Sequence, residues 1–464
     1  MFSTTKMHFE ISERRILLLF FDAVFILSAL YILSLIFDYN YFIFNTSNFV
    51  SFVLLLSYVY VFGLIFEMYN LQVASNQLQI LQSVIFTGTV SSLAYLFTPI
   101  LSPELPKQRL IIFIFYFTII GILLLWRLFY VYFLASQRFS QNVVLICDQN
   151  QVEELVLGLE SVDPHYKIIG FVNSDSISEE NSNFHYVKEV KKKDLEAFVS
   201  KNKISEIVIA SQKTDGITPD LYQQLLRLLE SGNVIREYTQ VYESKTQRIP
   251  VHYIARDFYR FFPFSRSNSN RLYLFLVRSM EFLFSFMGLL ACVVFIPLIY
   301  IGNLFANKGP LFYTQERVGK NGVVFEIYKF RTMVENSEAN GVVFATPNDR
   351  RVTPFGKMMR KSRLDELPQF FNVLKGDMAV IGPRPERPFF VEEIARVMPF
   401  YETRHVIKPG LTGWAQVNYS YGESIEESLV KLQYDLYYIK HRSIFLDLSI
   451  TFKTITTVLF YRGQ

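Results

Sequence analysis

The sequence predicts a mixed membrane protein: a four-helix transmembrane bundle, a parallel α/β module, and a mainly helical carboxy-terminal domain with a re-entrant membrane helix and interfacial helices. Three observations predict it. Charged residues are 19% of the 464 and hydrophobic ones 51%, where a soluble domain carries about 25% charged residues. Four apolar runs crowd the first third of the chain, near the ~20 residues a helix needs to cross a hydrocarbon core. Strand-like and helix-like stretches then alternate, before a segment dense in glycine, arginine and paired acids.

The four runs are 16–37, 49–66, 80–98 and 110–126, and only the first holds a charge, Asp22. Backbone in lipid must satisfy its own hydrogen bonds, which selects helices. Lys6, Arg14 and Arg15 precede the first run and Arg127 and Arg138 follow the fourth, so both ends are expected on the cytoplasmic side. The region assigned to this bundle is 1–138. An aromatic share of 16% suits lipid-facing and interfacial rings.

From Asn142 the pattern changes. Residues 142–148, 168–172, 204–210 and 234–236 read as strands, with helices at 152–159 and 221–229. That alternation predicts a small parallel sheet over 139–245, a Rossmann-like module. A dinucleotide site needs glycines after the first strand; here the turn is Asp148-Gln149-Asn150-Gln151, so a regulatory or structural role is favoured. Cys147 and Cys292 lie in apolar runs and read as small buried hydrophobes. Residues 246–272 form a basic, aromatic linker, suited either to anionic lipid headgroups or to packing against the domains as an ordinary connection. A net charge of +4 is too mild to argue for nucleic acid.

A fifth apolar run, 282–302, is long enough to span. Pro297 in its interior removes a helix hydrogen bond, and basic residues flank it on both sides: Arg266, Arg271 and Arg278, then Lys308, Arg317 and Lys320. A helix over about 279–302 that bends at Ile296-Pro297 and leaves on the side it entered keeps both flanks cytoplasmic. The domain that carries it is 273–464. In the tail, 444–460 is apolar with Asp447 and Lys453 inside the run, which favours a helix lying in the interface.

The segment after the fifth run suggests phosphate chemistry. Arg317, Lys329, Arg331, Arg351, Arg360 and Arg363 are interspersed with turn glycines and aromatics, and such cations hold phosphate oxygens. Among them lies Leu364-Asp365-Glu366-Leu367-Pro368-Gln369. Adjacent acids diverge by about 100° on a helix, so one carboxylate can face a substrate while the other holds Mg²⁺, an ion suited to carboxylate and phosphate oxygens. Pro383-Arg384-Pro385 reads as a rigid loop for an anion or a base. The turn from Lys408 to Asn418, with Gln416, suits the lip of a nucleoside or sugar pocket.

On these residues the chain from about 270 to 464 resembles the bacterial sugar transferase family, the monotopic polyprenyl-phosphate phosphoglycosyl transferases. The motifs are 315–322, 328–333, 364–369, 376–385 and 408–418. With the four runs and the α/β module, the whole chain is similar to the large, exopolysaccharide-initiating members. The resemblance implies transfer of a hexose-1-phosphate from a UDP-sugar to undecaprenyl phosphate, with release of UMP, at the bacterial inner membrane. It implies Asp365 as nucleophile through a covalent phosphosugar intermediate, Glu366 as Mg²⁺ ligand, and Arg384 as orienting substrate phosphate or uridine. The helix break is expected at Pro297. Two positions depart from the family pattern: Ile296 stands where Ser is frequent and Glu281 where Asp is common.

Two other readings compete. A membrane-anchored nucleotide-sugar epimerase or dehydratase would need the glycine fingerprint missing at 148–151. A non-catalytic scaffold of polysaccharide assembly would show erosion at the acid pair or the cations, and both are intact. The surfaces that the bundle and module add beyond the chemistry suit a homodimer.

Overall fold

The computed structural model describes residues 11–37, 48–69, 77–99, 101–105, 108–134, 141–161, 163, 166–174, 187–210, 217–251, 268–306, 309–334, 349–398, 400–419 and 424–459. The chain divides into two compact units, Met1–Val241 and Tyr242–Gln464.

The first unit opens with four helices: α1 (Ile11–Ile36), α2 (Phe49–Ile65), α3 (Gln77–Leu96) and α4 (Arg109–Phe129). They share one core, built from Leu18, Ile26, Leu55, Val59, Val84, Tyr95, Phe115 and Ile119. All four predicted runs are helical. Two of them, as Ile16–Ile36 and Arg109–Tyr132, are long and apolar enough to cross a membrane, and α2 is apolar but shorter. In α3 the composition is diluted by Gln77, Gln79 and Gln82 and by Ser83, Thr87, Thr89, Ser91 and Ser92.

Arg127 corrects the reading of its charge. It does not mark an aqueous flank: it is fully buried, bonds Asp22 at 2.6 Å and lies over the Tyr69 ring at 5.3 Å. The single charge of the first run is therefore neutralised inside the bundle, which joins α1 to α4. An unpaired charge there would cost several kcal/mol.

The module that follows runs β1 (Gln141–Cys147), α5 (Val152–Glu160), β2 (Tyr166–Asn173), β3 (Lys188–Glu189), α6 (Leu195–Asn202), β4 (Glu206–Ile209), α7 (Pro219–Glu230) and β5 (Val234–Glu237). The sheet order is β3-β2-β1-β4-β5, with every pairing parallel. Central β1 is buried almost throughout, as expected for a strand covered on both faces. The chain order reverses beside β1, where Asp148 at its end accepts a hydrogen bond from Ser174. Glu206 is buried and takes bonds from Tyr166 and Arg236, tying β2, β4 and β5 together. Cys147 and Cys292 are buried free thiols.

In the second unit, residues 246–251 of the predicted linker are part of the core. Ile249 and Val251 pack with Trp414, Leu432 and Tyr438. Arg248 donates to the Tyr434 hydroxyl at 2.8 Å, and Glu243, in α8 (Tyr238–Thr246), pairs with Lys440 at 2.7 Å. The headgroup reading of 252–267, with Arg256, Arg260 and Arg266, lies outside the described residues.

Next comes α9 (Arg271–Ala306), 36 residues and about 54 Å long. It contains Pro297 and runs on past it, so the expected break does not end the helix. Its buried residues form one stripe: Glu281, Ser285, Gly288, Cys292, Ile299 and Asn303. The other faces expose Phe286, Leu290, Val293, Val294, Leu298, Ile301 and Phe305. The stripe is small where the domain must come close. A Cβ on Gly288 would sit 2.3 Å from the Phe370 ring, and one on Gly302 would sit 2.4 Å from Phe355.

Against that stripe fold β6 (Phe312–Val318) and β7 (Val324–Phe330), an antiparallel pair, then α10 (Pro354–Lys361) and α11 (Gln369–Lys375). A short parallel pair, β8 (Ala379–Ile381) with β9 (Gly410–Thr412), frames α12 (Pro388–Val397). The unit ends with α13 (Trp414–Asn418), α14 (Ile425–His441) and α15 (Ile444–Leu459). The polar breaks of α15 turn inward: Asp447 accepts from Tyr438 at 2.7 Å, and Lys453 lies over the Trp414 ring at 4.5 Å. Ile444, Phe445 and Ile455 stay exposed.

Candidate active site

The two acids sit on a single 3₁₀ turn, Leu364–Glu366, between α10 and α11. The turn begins at Arg363 in the left-handed region, φ 56°. A non-glycine residue held there costs of order 1–3 kcal/mol and is a frequent mark of functional turns. Leu367 packs with Cys292, Ile299, Phe330 and Met359, so the turn rests on α9. Arg278 of α9 holds the far end of α11 by donating to the carbonyls of Val373 and Leu374, both at 2.8 Å. A cation on those last carbonyls also meets the negative end of the helix dipole. Asn372 ties α11 to β7, donating to Glu326 O at 2.7 Å and accepting from Tyr328 N at 3.1 Å. Acid turn, membrane helix and strand are thus one braced assembly.

Asp365 is 6% exposed, and its Oδ1 is buried with no hydrogen-bond partner among the described residues. Glu366 faces the cations. Lys329 Nζ and Arg363 lie 3.5 Å from its Oε1, and Arg384 lies 3.4 Å away. Burial, then the Glu366 charge, pushes the Asp365 carboxyl up to about 6. Burial would raise Glu366 too, but Lys329, Arg384 and Arg363 hold it down at about 2. Lys329 is lowered to about 8, mainly by burial and against the pull of Glu366. Arg360 donates to Thr332 Oγ1 at 3.0 Å, and Asp365 is the carboxylate acting on it most strongly. Adjacent acids are here driven apart in acidity by their surroundings, a common way to give two carboxyls different tasks.

Of the predicted site residues, Asp365, Glu366, Lys329, Arg360, Arg363 and Arg384 come together. Arg331 lies just beyond β7, its backbone N–H held by Leu311 O at 3.0 Å. Arg351 gives its guanidinium to Asp349, at 2.6 Å for the shortest contact. Lys408 is placed elsewhere: its Nζ reaches the end of α11, 3.5 Å from where a Gly376 Cβ would stand and beside Arg278. Gln416 turns its Nε2 to Leu411 O at 3.2 Å, within the β9 turn. Pro383 contributes its carbonyl, which accepts from Gly410 N at 2.8 Å. Arg317 serves structure, donating to Pro385 O at 3.0 Å and Gln315 Oε1 at 2.6 Å, with Glu386 3.7 Å away. Arg404, Asp435 and Asn372 escaped the sequence reading, because each resembles an ordinary surface polar residue until the fold buries it.

The residues fit a divalent cation of the Mg²⁺ type. The three cations approach Oε1 of Glu366, and the neighbouring Asp365 Oδ1 is a buried carboxylate oxygen with no hydrogen-bond partner among the described residues. No cluster of three His, Cys, Asp or Glu occurs among the described residues. Mg²⁺ is commonly held by one or two carboxylates with substrate phosphates and water, and needs no such cluster.

Known proteins match the same region. The family described as bacterial sugar transferase matches residues 272–461. A UDP-N-acetylgalactosamine-undecaprenyl-phosphate N-acetylgalactosaminephosphotransferase of Aeromonas hydrophila is 38% identical over 257 residues, covering 55% of this chain and 59% of that protein. A UDP-glucose:undecaprenyl-phosphate glucose-1-phosphate transferase of Xanthomonas campestris pv. campestris is 43% identical over 164 residues, 35% of this chain and 34% of that protein. The chain therefore spans less than two thirds of the length of these two relatives. An uncharacterized sugar transferase of Bacillus subtilis is 40% identical over 180 residues, 38% of this chain and 83% of that protein. The chain covers more than two thirds of that smaller relative, and it belongs to the bacterial sugar transferase family.

Proposed function

We propose that the chain transfers a hexose-1-phosphate from a UDP-sugar to undecaprenyl phosphate, releasing UMP, as the first membrane step of exopolysaccharide or capsule synthesis. One observation carries the reading: a buried carboxylate with an unpartnered oxygen stands among four cations, on a turn seated against an apolar helix. Four positive charges against two carboxylates suit a diphosphate arriving from water and a lipid phosphate arriving from the bilayer. The relatives named for UDP-sugars and undecaprenyl phosphate support the same substrates.

In the first step an Asp365 oxygen bonds the sugar-bearing phosphorus, and the bond from that phosphorus to the bridging oxygen breaks. UMP leaves with the electron pair, and the phosphosugar is held as an acyl phosphate. In the second step an oxygen of undecaprenyl phosphate bonds the same phosphorus, and the Asp365 carboxylate departs. Splitting the exchange lets one site serve a soluble and a lipid substrate in turn. Arg384, Arg360 and Lys329 take up phosphate charge as bonds change. Glu366 would hold Mg²⁺, which when bound supplies charge neutralisation between the acids and the diphosphate.

The packing of α9 supports a membrane placement on one face. From Arg278, on Leu374 O, to Gly302, under Phe355, the helix contacts the same polar unit over 24 residues. That is about 36 Å, longer than the ~30 Å hydrocarbon core. A crossing helix would leave that unit within the bilayer, which favours an α9 that enters and stays on one face; the basic residues at both ends of the apolar run favour the cytoplasmic face, with α15 lying alongside in the interface. The four amino-terminal helices span as a multi-pass bundle.

Two measurements test the reading. Purified protein with Mg²⁺ and a matching UDP-sugar is expected to release about one UMP per chain without lipid, and to turn over once undecaprenyl phosphate is added. No UMP from any UDP-sugar of a panel would overturn it. For topology, Leu304→Cys, exposed on α9, should react with an impermeant thiol reagent only from the cytoplasmic side. Labelling from the opposite side would make α9 a crossing helix.

A further inference from the structure

The loop that carries Arg384 is gripped at every residue. Gly382 N–H donates to Thr412 O and the Pro383 carbonyl accepts from Gly410 N, both at 2.8 Å. The Arg384 carbonyl accepts from Arg404 at 2.9 Å, the Pro385 carbonyl from Arg317 at 3.0 Å, and the Glu386 carbonyl from Val318 N at 2.9 Å. Four consecutive carbonyls are thus held from three parts of the unit: β9, the 401–406 turn and the end of β6. The grip on Arg384 itself is the only one of the four made through a buried ion pair. Arg404 is 3% exposed and Asp435, on α14, 1%. The same Arg404 nitrogen that holds the Arg384 carbonyl bonds Asp435 at 2.7 Å, while its other terminal nitrogen reaches the Tyr401 hydroxyl at 2.5 Å.

Such a pair is an expensive way to hold a loop. Two desolvated charges seldom repay their burial in stability, and Arg404 Nε is left without a partner among the described residues. What the arrangement provides is direction. A planar guanidinium anchored to a carboxylate and a hydroxyl fixes one carbonyl in position and orientation, and the side chain on that residue is the cation 3.4 Å from Glu366.

We infer that Arg404 and Asp435 are positioning residues for the nucleotide-sugar half-reaction, acting through the backbone of Arg384 to aim its guanidinium at the diphosphate. The inference rests on the proposed transferase reading and adds to it a division of labour. Arg384 touches substrate, whereas Arg404 bonds the Arg384 carbonyl, Tyr401 and Asp435. Their loss is therefore felt by the UDP-sugar and not by the lipid phosphate.

The test is a double-mutant cycle in the full-length protein, following UMP release. Arg404→Lys keeps the charge but loses the fork, and Asp435→Asn keeps the shape but loses the charge. Each is expected to raise KM for the UDP-sugar about tenfold, the loss of one well-oriented charge-assisted contact, with KM for undecaprenyl phosphate unchanged. In an Arg384→Ala background the same substitutions should add less than about twofold, because the group they aim is already gone. Effects that multiply in that background, or that raise both KM values together, would assign Arg404 and Asp435 to general support of the fold and overturn the inference. A variant whose unfolding temperature falls steeply is replaced in the cycle by Tyr401→Phe, which removes one of the groups orienting Arg404 and should give a smaller shift in the same KM. No change in UDP-sugar KM for a stably folded Arg404→Lys would equally end it. Release of UMP by the unsubstituted protein establishes the underlying reaction separately, so the two failures are distinguishable.

Discussion

Asp365→Asn is expected to lower UMP release by at least about 10³-fold while leaving the protein as stable as before, or more so. The loss of activity follows because the amide oxygen is a far weaker nucleophile and no neighbouring acid can replace it: Glu366 is occupied by three cations. The gain in stability follows from burial. Asp365 Oδ1 meets no partner among the described residues, and the carboxyl is pushed up to about 6 by burial and by Glu366. A carboxyl whose pKa is higher in the folded than in the unfolded chain adds stability below the unfolded value, and that contribution is lost as pH rises through the folded value. The unfolding temperature of the Asn variant should therefore match the parent near pH 4 and exceed it above about pH 6. Activity that survives the substitution would remove Asp365 from the chemistry. A variant that is inactive and also destabilised at neutral pH would make it a structural acid.

Strand content was legible where burial is two-sided. β1, β2 and β4 read as near-continuous apolar runs because helices cover both faces of the sheet. β3 is two residues long, Lys188–Glu189, and both are exposed, so nothing in its composition marks it as a strand. α6 was missed beside it, as the lysine-rich stretch before it hides an eight-residue helix held by Leu195 and Val199. The hairpin β6–β7 reads in sequence only as a polar turn over 315–322, the first four residues of which are the end of β6. Its strands alternate exposed and half-buried residues, and the polar half outweighs the pattern. Helix α9 was visible as an apolar run, but its extension to 36 residues was not, because its first turns carry Arg271 and Arg278.

The site divides in the same way. Asp365, Glu366, Arg360 and Arg363 fall within seven positions of one another, so their meeting is a local matter that the sequence discloses. Arg404 and Asp435 are 31 positions apart and meet only because α14 packs against the 401–406 turn. Arg317 and Lys408 carry the right charge at motif positions, yet the fold spends the first on Pro385 and brings the second to the end of α11. Charge and motif membership select candidates. Which of them face the acids is decided by side-chain direction and by competition from backbone carbonyls, neither of which is written in one dimension.

Gly410→Ala tests the framework beneath the Arg384 loop and is expected to destabilise the second unit severely. The Cβ would stand 2.1 Å from Gly382 N and 2.4 Å from Thr412 O. Both are backbone atoms already bonded in the β8–β9 pairing, Gly382 N to Thr412 O and Gly410 N to Pro383 O, each at 2.8 Å. A crowded side chain can swing aside, but these atoms move only if the pairing opens, which costs the overpacking term and about 1 kcal/mol per hydrogen bond lost. A total of about 3 kcal/mol or more is expected, with UMP release falling as the loop loses its register. Gly121→Ala is the matching control: nothing lies within 4 Å of its Cβ, and it stands inside a helix, where Ala is favoured over Gly by up to about 1 kcal/mol. Parallel thermal unfolding of the two variants separates a tight backbone contact from a general sensitivity to lost glycine. Equal unfolding temperatures for Gly410→Ala and the parent would mean that the two backbone segments do not approach as described, and that Arg384 is aimed by some other means.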